Sequence, residues 1–131
     1  MHTSPLQLAR ESSFIAVTVH ECYDGDTCTV TLSDPWIPAV LGTRLPVRLA
    51  GIDTPERHGR CPHETHLAEQ AREFLRARIQ QATRIDLSEI ERNKYFRLRA
   101  IFRADGADLS QALLQAGLAR PYAGGARSSW C

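Results

Sequence analysis

No stretch of this chain approaches the roughly 20 apolar residues that a membrane-spanning helix needs, so no membrane partner is expected. Neither sign of charge dominates: 16 Lys and Arg against 15 Asp and Glu leave a net charge of +1. That balance excludes an overall basic field announcing a polyanion, so any phosphate site must be built locally from a few arginines. Runs of like charge are missing too, which excludes a polybasic or acidic tail. No repeat or low-complexity segment is visible. Residues 1–13 lack the apolar core of a signal peptide. The expected compartment is therefore cytoplasmic, or secreted or periplasmic if a leader was removed. At 131 residues the prior is one domain, able to bury roughly two-thirds of the surface its unfolded chain exposes.

Four cysteines are present. Cys22 and Cys28 bracket an acidic turn and read first as two small, buried strand residues, although a hairpin would also bring them near one another. A Cys61–Cys131 bridge would tie down a fraying terminus in an oxidising compartment. A zinc site of Cys61, His63, His66 and Cys131 is the weaker alternative, because Cys-x-His-x-x-His is no standard structural-zinc spacing.

The apolar pattern predicts a strand over 14–20, a turn at Asp24-Gly25, and a strand over 27–32 with Cys28, Val30 and Leu32 inward. Residues 33–43 read as a loop whose Trp36, Ile37, Val40 and Leu41 fold back on the core, with a binding rim as the lesser alternative. A third strand is expected over 45–52, with Arg48 facing away from Leu45, Val47 and Leu49 and with Asp53 at its exit. A helix over 62–80 follows, opened by Pro62 in its first turn. Strands over 84–90 and 95–102 come next. A second helix over 108–116 is capped by Asp108 and stopped by Gly117. Three strands, a helix, two strands and a helix make a mostly β chain with α. That order resembles an OB-fold, a five-stranded barrel whose open face holds oligonucleotides.

Four short runs carry chemistry: Asp24-Gly25-Asp26-Thr27, Arg48, Asp53-Thr54-Pro55-Glu56 and Arg97. Asp26 and Asp53 leave different strand ends. If one sheet brings them together, two carboxylates repel and recruit a cation. Oxygen ligands favour a hard ion, Ca²⁺ or Mg²⁺. Asp24 would stand just outside, and the Thr54 carbonyl could turn towards the same ion. Glu56, three residues past Asp53, is a candidate base for a water molecule. Arg48 and Arg97 are candidates for gripping phosphate oxygens in a planar, two-point fashion.

In order and spacing these runs resemble the staphylococcal nuclease (thermonuclease) family. That family has a D-G-D-T run, an arginine five residues before a D-T-P-E run, and a later K-Y-x-R run, matched here by Lys94-Tyr95-Phe96-Arg97. The resemblance implies Ca²⁺ (less readily Mg²⁺) on Asp26, Asp53 and the Thr54 carbonyl, with Asp24 acting through water. It implies Glu56 acting on the attacking water, Arg48 and Arg97 clamping phosphate, and Lys94 and Tyr95 touching the nucleotide. The implied activity is hydrolysis of DNA and RNA, single- or double-stranded, leaving 3′-phosphates, by a protein expected to be a monomer. The expected division is an extension 1–13, a nuclease domain 14–122 and a tail 123–131. Phe96 stands where the best-known members have glycine, and Asn93 where they have aspartate. The family's third helix is absent or replaced by the tail. The competing reading is the same fold used only to bind nucleic acid or protein. A retired enzyme would be expected to have lost Glu56 or an arginine, and neither is lost here.

Overall fold

Alternating apolar and threonine side chains, closed by a turn, form the first hairpin. In the computed structural model, which describes residues 14–92 and 97–131, β1 (Ile15–Cys22) pairs antiparallel with β2 (Thr27–Leu32). Lys94 and Tyr95 lie outside the described residues, as do Asn93, Phe96 and the extension 1–13. Cys28 and Val30 are buried as expected. Thr29 is buried as well, its hydroxyl against that of Tyr23.

The 33–43 segment departs from expectation. It contains a short helix, α1 (Ala39–Gly42), and its apolar side chains do not fold back: Trp36, Val40 and Leu41 are exposed. Only Ile37 is half-buried; it would lie 3.2 Å from a Cβ placed on Gly42.

β3 (Leu45–Leu49) stops three residues earlier than predicted. Ala50 and Gly51 turn, Gly51 at φ 79°, a region open to glycine. The chain resumes as β4 (Ile52–Asp53), which leaves the barrel to pair with β8 (Arg120–Pro121). The interruption aims Asp53 away from the line of β3.

Helix α2 (Pro62–Gln81) has Pro62 at its start and buries Ala68, Ala71 and Leu75 against the barrel. β5 (Ile85–Arg92) and β6 (Leu98–Ala104) form the next pair, and β7 (Ala107–Asp108) adds a short edge. Asp108 caps α3 (Leu109–Gln115), accepting from Ser110 N at 2.8 Å and Gln111 N at 3.3 Å. Gly117, at φ 74°, ends it as predicted: Leu118 N donates to Leu113 O and Gly117 N to Leu114 O, the paired bonds of a Schellman motif.

The sheet order β3-β2-β1-β5-β6 closes when β6 pairs in parallel with β3. The result is the expected five-stranded OB-type barrel, mostly β. Three helices rather than two accompany it among the described residues, the addition being α1. Val30, Val47, Leu49, Leu87, Phe102 and Leu113 fill the core. Both cysteine pairs are bridged, Cys22–Cys28 and Cys61–Cys131. The register explains the first, since Cys22 and Cys28 are direct cross-strand partners. The second removes the zinc alternative, because both of its thiols are consumed.

Candidate active site

The β2–β3 register sets Thr27 directly opposite Arg48. A slip of one residue would turn Arg48 to the other face, so the register delivers its guanidinium to the acidic turn. Arg48 Nη2 lies 3.4 Å from Asp26 Oδ2 and 3.8 Å from Asp53 Oδ1, and donates to Ile52 O at 3.2 Å. Asp26 and Asp53, 27 residues apart in sequence, thus flank one guanidinium. Both are buried, as is Thr54.

Gly25 makes this approach possible. A Cβ there would lie 2.7 Å from the Ala71 Cβ and 3.2 Å from the Thr54 Cγ2. Its glycine is required by close packing of the acidic turn on α2 and on the Asp53-Thr54 run, not by a left-handed φ. Gly25→Ala is expected to cost about 1–3 kcal/mol through overpacking, read from the denaturation midpoint. An unchanged midpoint would show that the turn can move off α2.

Asp24 accepts from Asp26 N at 3.2 Å. Burial, reinforced by the Asp26 charge, pushes its carboxyl up to about 6. A group so placed gains from a cation nearby.

Glu56 is exposed, its carboxylate taking a 3.0 Å ion pair from Arg127 Nη1. Arg127 Nε also lies 3.4 Å from Asp53 Oδ1. Burial works against the Arg127 charge, but the Asp53 carboxylate, Tyr122 and Asp26 together outweigh it, and its pKa is raised. Trp130, buried, directs its indole N–H at Asp53 Oδ2 from 3.5 Å and stacks under Arg120 at 3.8 Å. The guanidiniums of Arg48 and Arg127 each lie 5.6 Å from the centre of the Tyr122 ring. Arg97 is exposed and lines, with Arg48 and Tyr122, a cavity of about 730 Å³ along β3.

Glu64 holds the Glu56 loop. Buried in the first turn of α2, its carboxylate accepts from Arg60 N at 2.9 Å and from Glu56 N at 3.2 Å. The Arg60 amide first, and then that of Glu56, hold its pKa below the ordinary 4.5. Its stabilisation is therefore present above about pH 4.5 and is lost as pH falls through the lower, folded-state value. Glu64→Gln is expected to flatten the acid limb of the stability–pH curve below pH 4.5 and to lower stability at pH 7. An unaltered acid limb would mean that Glu64 does not carry it.

A hard cation can be tested against these donors. Asp53 Oδ1 is buried and has no hydrogen-bond partner, although two guanidiniums stand within 4 Å. It is an oxygen held by charge alone and open to a further positive partner. Asp26 offers a second carboxylate on the same side. Among the described residues no three His, Cys, Asp or Glu side chains converge as a closed metal site. The residues fit an ion held by two carboxylates that completes its shell with other oxygens.

A family model described as "Staphylococcal nuclease homologue" matches residues 46–129, most of the chain. The chain belongs to this family. Comparison with curated proteins gave no match. The matched stretch carries Arg48, Asp53, Thr54, Glu56 and Arg97 of the family-like runs. Asp24 and Asp26 precede it; the geometry sets Asp26 beside Arg48 and packs Gly25, between the two aspartates, on Thr54. Sequence reasoning missed Glu64, Arg127 and Trp130. Glu64 had a signal, an acidic residue three positions into a Pro-started helix. Arg127 had none, being 71 residues from Glu56.

Proposed function

We propose that this protein is a Ca²⁺-dependent phosphodiesterase that hydrolyses DNA and RNA and leaves 3′-phosphates. The observation that carries the reading is the meeting of Asp26, Asp53, Arg48 and the Glu56 loop at one end of an OB-type barrel in a staphylococcal nuclease homologue. Asp26, Asp53 and the Thr54 carbonyl would hold the cation, with Asp24 reaching it through water. When bound, such an ion neutralises the carboxylates and polarises a phosphoryl oxygen. Glu56 accepts the proton of the attacking water; its exposure gives water access to it. Arg48 leaves the carboxylates for the phosphate as negative charge grows there, a contribution of the order of 3 kcal/mol for one such donor. Arg97, which lines the same cavity of about 730 Å³ as Arg48, is the second grip on the phosphate, and Lys94 and Tyr95 contact the nucleotide. Tyr122 offers a ring on which a base can stack.

No helix among the described residues is long and apolar enough to cross a membrane. The protein is proposed to act as a monomer in an oxidising compartment, where two disulfides persist. The test is cleavage of a fluorescent single-stranded DNA in Ca²⁺, Mg²⁺ or EDTA. Cleavage that needs Ca²⁺ is expected. No cleavage by folded protein under any ion would replace this reading with a module that binds without cutting.

A further inference from the structure

The geometry points to Arg127 as a third phosphate-gripping guanidinium of this site, delivered by a segment tied down at both ends. This assignment rests on the nuclease reading above. Arg127 bridges the two groups between which a scissile phosphate must lie: Asp53, proposed for the cation, and Glu56, proposed for the water. It stands there as Arg48 stands between Asp26 and Asp53, each against Asp53 Oδ1 and each beside the Tyr122 ring.

Neither guanidinium makes a directed hydrogen bond to Asp53 Oδ1. Both contacts are charge pairs that a divalent ion on Asp53 would displace. Once that ion supplies the positive charge the carboxylates need, the planar N–H groups of Arg127 become available to an anion.

The segment is held for such a task. At one end Arg120 pairs with Asp53 in the β4–β8 ladder, and Tyr122 N donates to Gly51 O at 2.9 Å. At the other, Cys131 is bridged to Cys61, the cap of α2, three residues from the Glu64 that holds the Glu56 loop. Between them Arg120 Nη1 donates to Ser129 O at 2.7 Å and Tyr122 Oη to Gly125 O at 2.8 Å.

The test uses a short fluorescent oligodeoxythymidylate in Ca²⁺. In the Glu56→Gln protein, binding is followed by anisotropy over a range of salt, with Arg127 and with Arg127→Gln. Arg127→Gln is expected to weaken binding about tenfold and to reduce the slope of log K against log salt by about 0.7, one phosphate contact on a single strand. With Glu56 intact, Arg127→Gln is expected to lower kcat/KM by about 10²-fold, and Arg127→Lys to recover part of the loss. Ca²⁺ should raise the melting temperature at lower concentration in Arg127→Gln, because a competitor for Asp53 is gone. A salt slope and rate like those of the parent would overturn the assignment, leaving Arg127 a structural ion pair. A faster variant would overturn it too, making the segment a plug. If the parent binds but never cuts, the nuclease reading falls and the salt slope alone decides for Arg127. A parent that neither binds nor cuts overturns both.

Discussion

Glu56→Gln is expected to lower Ca²⁺-dependent cleavage by about 10²- to 10⁴-fold, the range for loss of a positioned general base. The amide keeps the shape of the side chain and an oxygen for Arg127, but it cannot take a proton from water. Little else should change. The Glu56 side chain is 60% exposed, and its loop is held through its own backbone N–H by Glu64, not through its carboxylate. Exposed substitutions of this kind stay within about 0.5 kcal/mol in stability. Rate and melting temperature measured on one preparation therefore separate chemistry from folding. Near-normal cleavage would remove Glu56 from the role of base. A large fall in melting temperature would mean that its pair with Arg127 carries structural weight that the exposure argues against.

The second large effect concerns the bridges. Replacing Cys61 and Cys131 together by serine opens a link spanning 70 residues, whereas Cys22–Cys28 spans only 6. The chain-entropy model gives about 4 kcal/mol for the long loop and about 2 kcal/mol for the short one, as upper values. Denaturant melts of the two paired-serine variants should show the larger loss for Cys61–Cys131. The reverse order would exclude chain entropy as the main source of the stabilisation. The long bridge also anchors the segment that brings Trp130 and Arg127 to Asp53, so its loss should reduce cleavage as well as stability. The short bridge closes the hairpin whose turn holds Asp24 and Asp26, and its loss should weaken the effect of Ca²⁺ on the melting temperature more than it weakens the fold.

What was readable in the sequence follows a physical division. Elements with a period of their own came through closely. β2 alternates over Thr27–Leu32, α2 starts at Pro62, and the Asp108 cap and Gly117 stop frame α3. The line through Leu45–Ile52 also looked like one strand, because its apolar pattern runs on through Ile52. It breaks because Gly51 adopts φ 79° and the next two residues find a partner in Arg120–Pro121. No local pattern shows that a partner nearly seventy residues away is available. The apolar residues of the 33–43 loop misled in the opposite way. Hydrophobic composition suggested burial, but Trp36 is 90% exposed, since composition alone carries no information on which way a loop without a period turns its side chains.

By itself, then, the sequence determined the order of the five barrel strands and two of the helices along the chain and the residue types of the proposed site, because each is written in spacing along a few turns or strands. Only the tertiary structure decided that Asp26 and Asp53 share Arg48, that Glu64 holds the Glu56 loop, and that Arg127 and Trp130 complete the surroundings of Asp53. These contacts join residues brought together by strand register, a closed barrel and a disulfide. Their energy comes from proximity in space, and charge pairing across long sequence distances leaves no periodic trace in the chain.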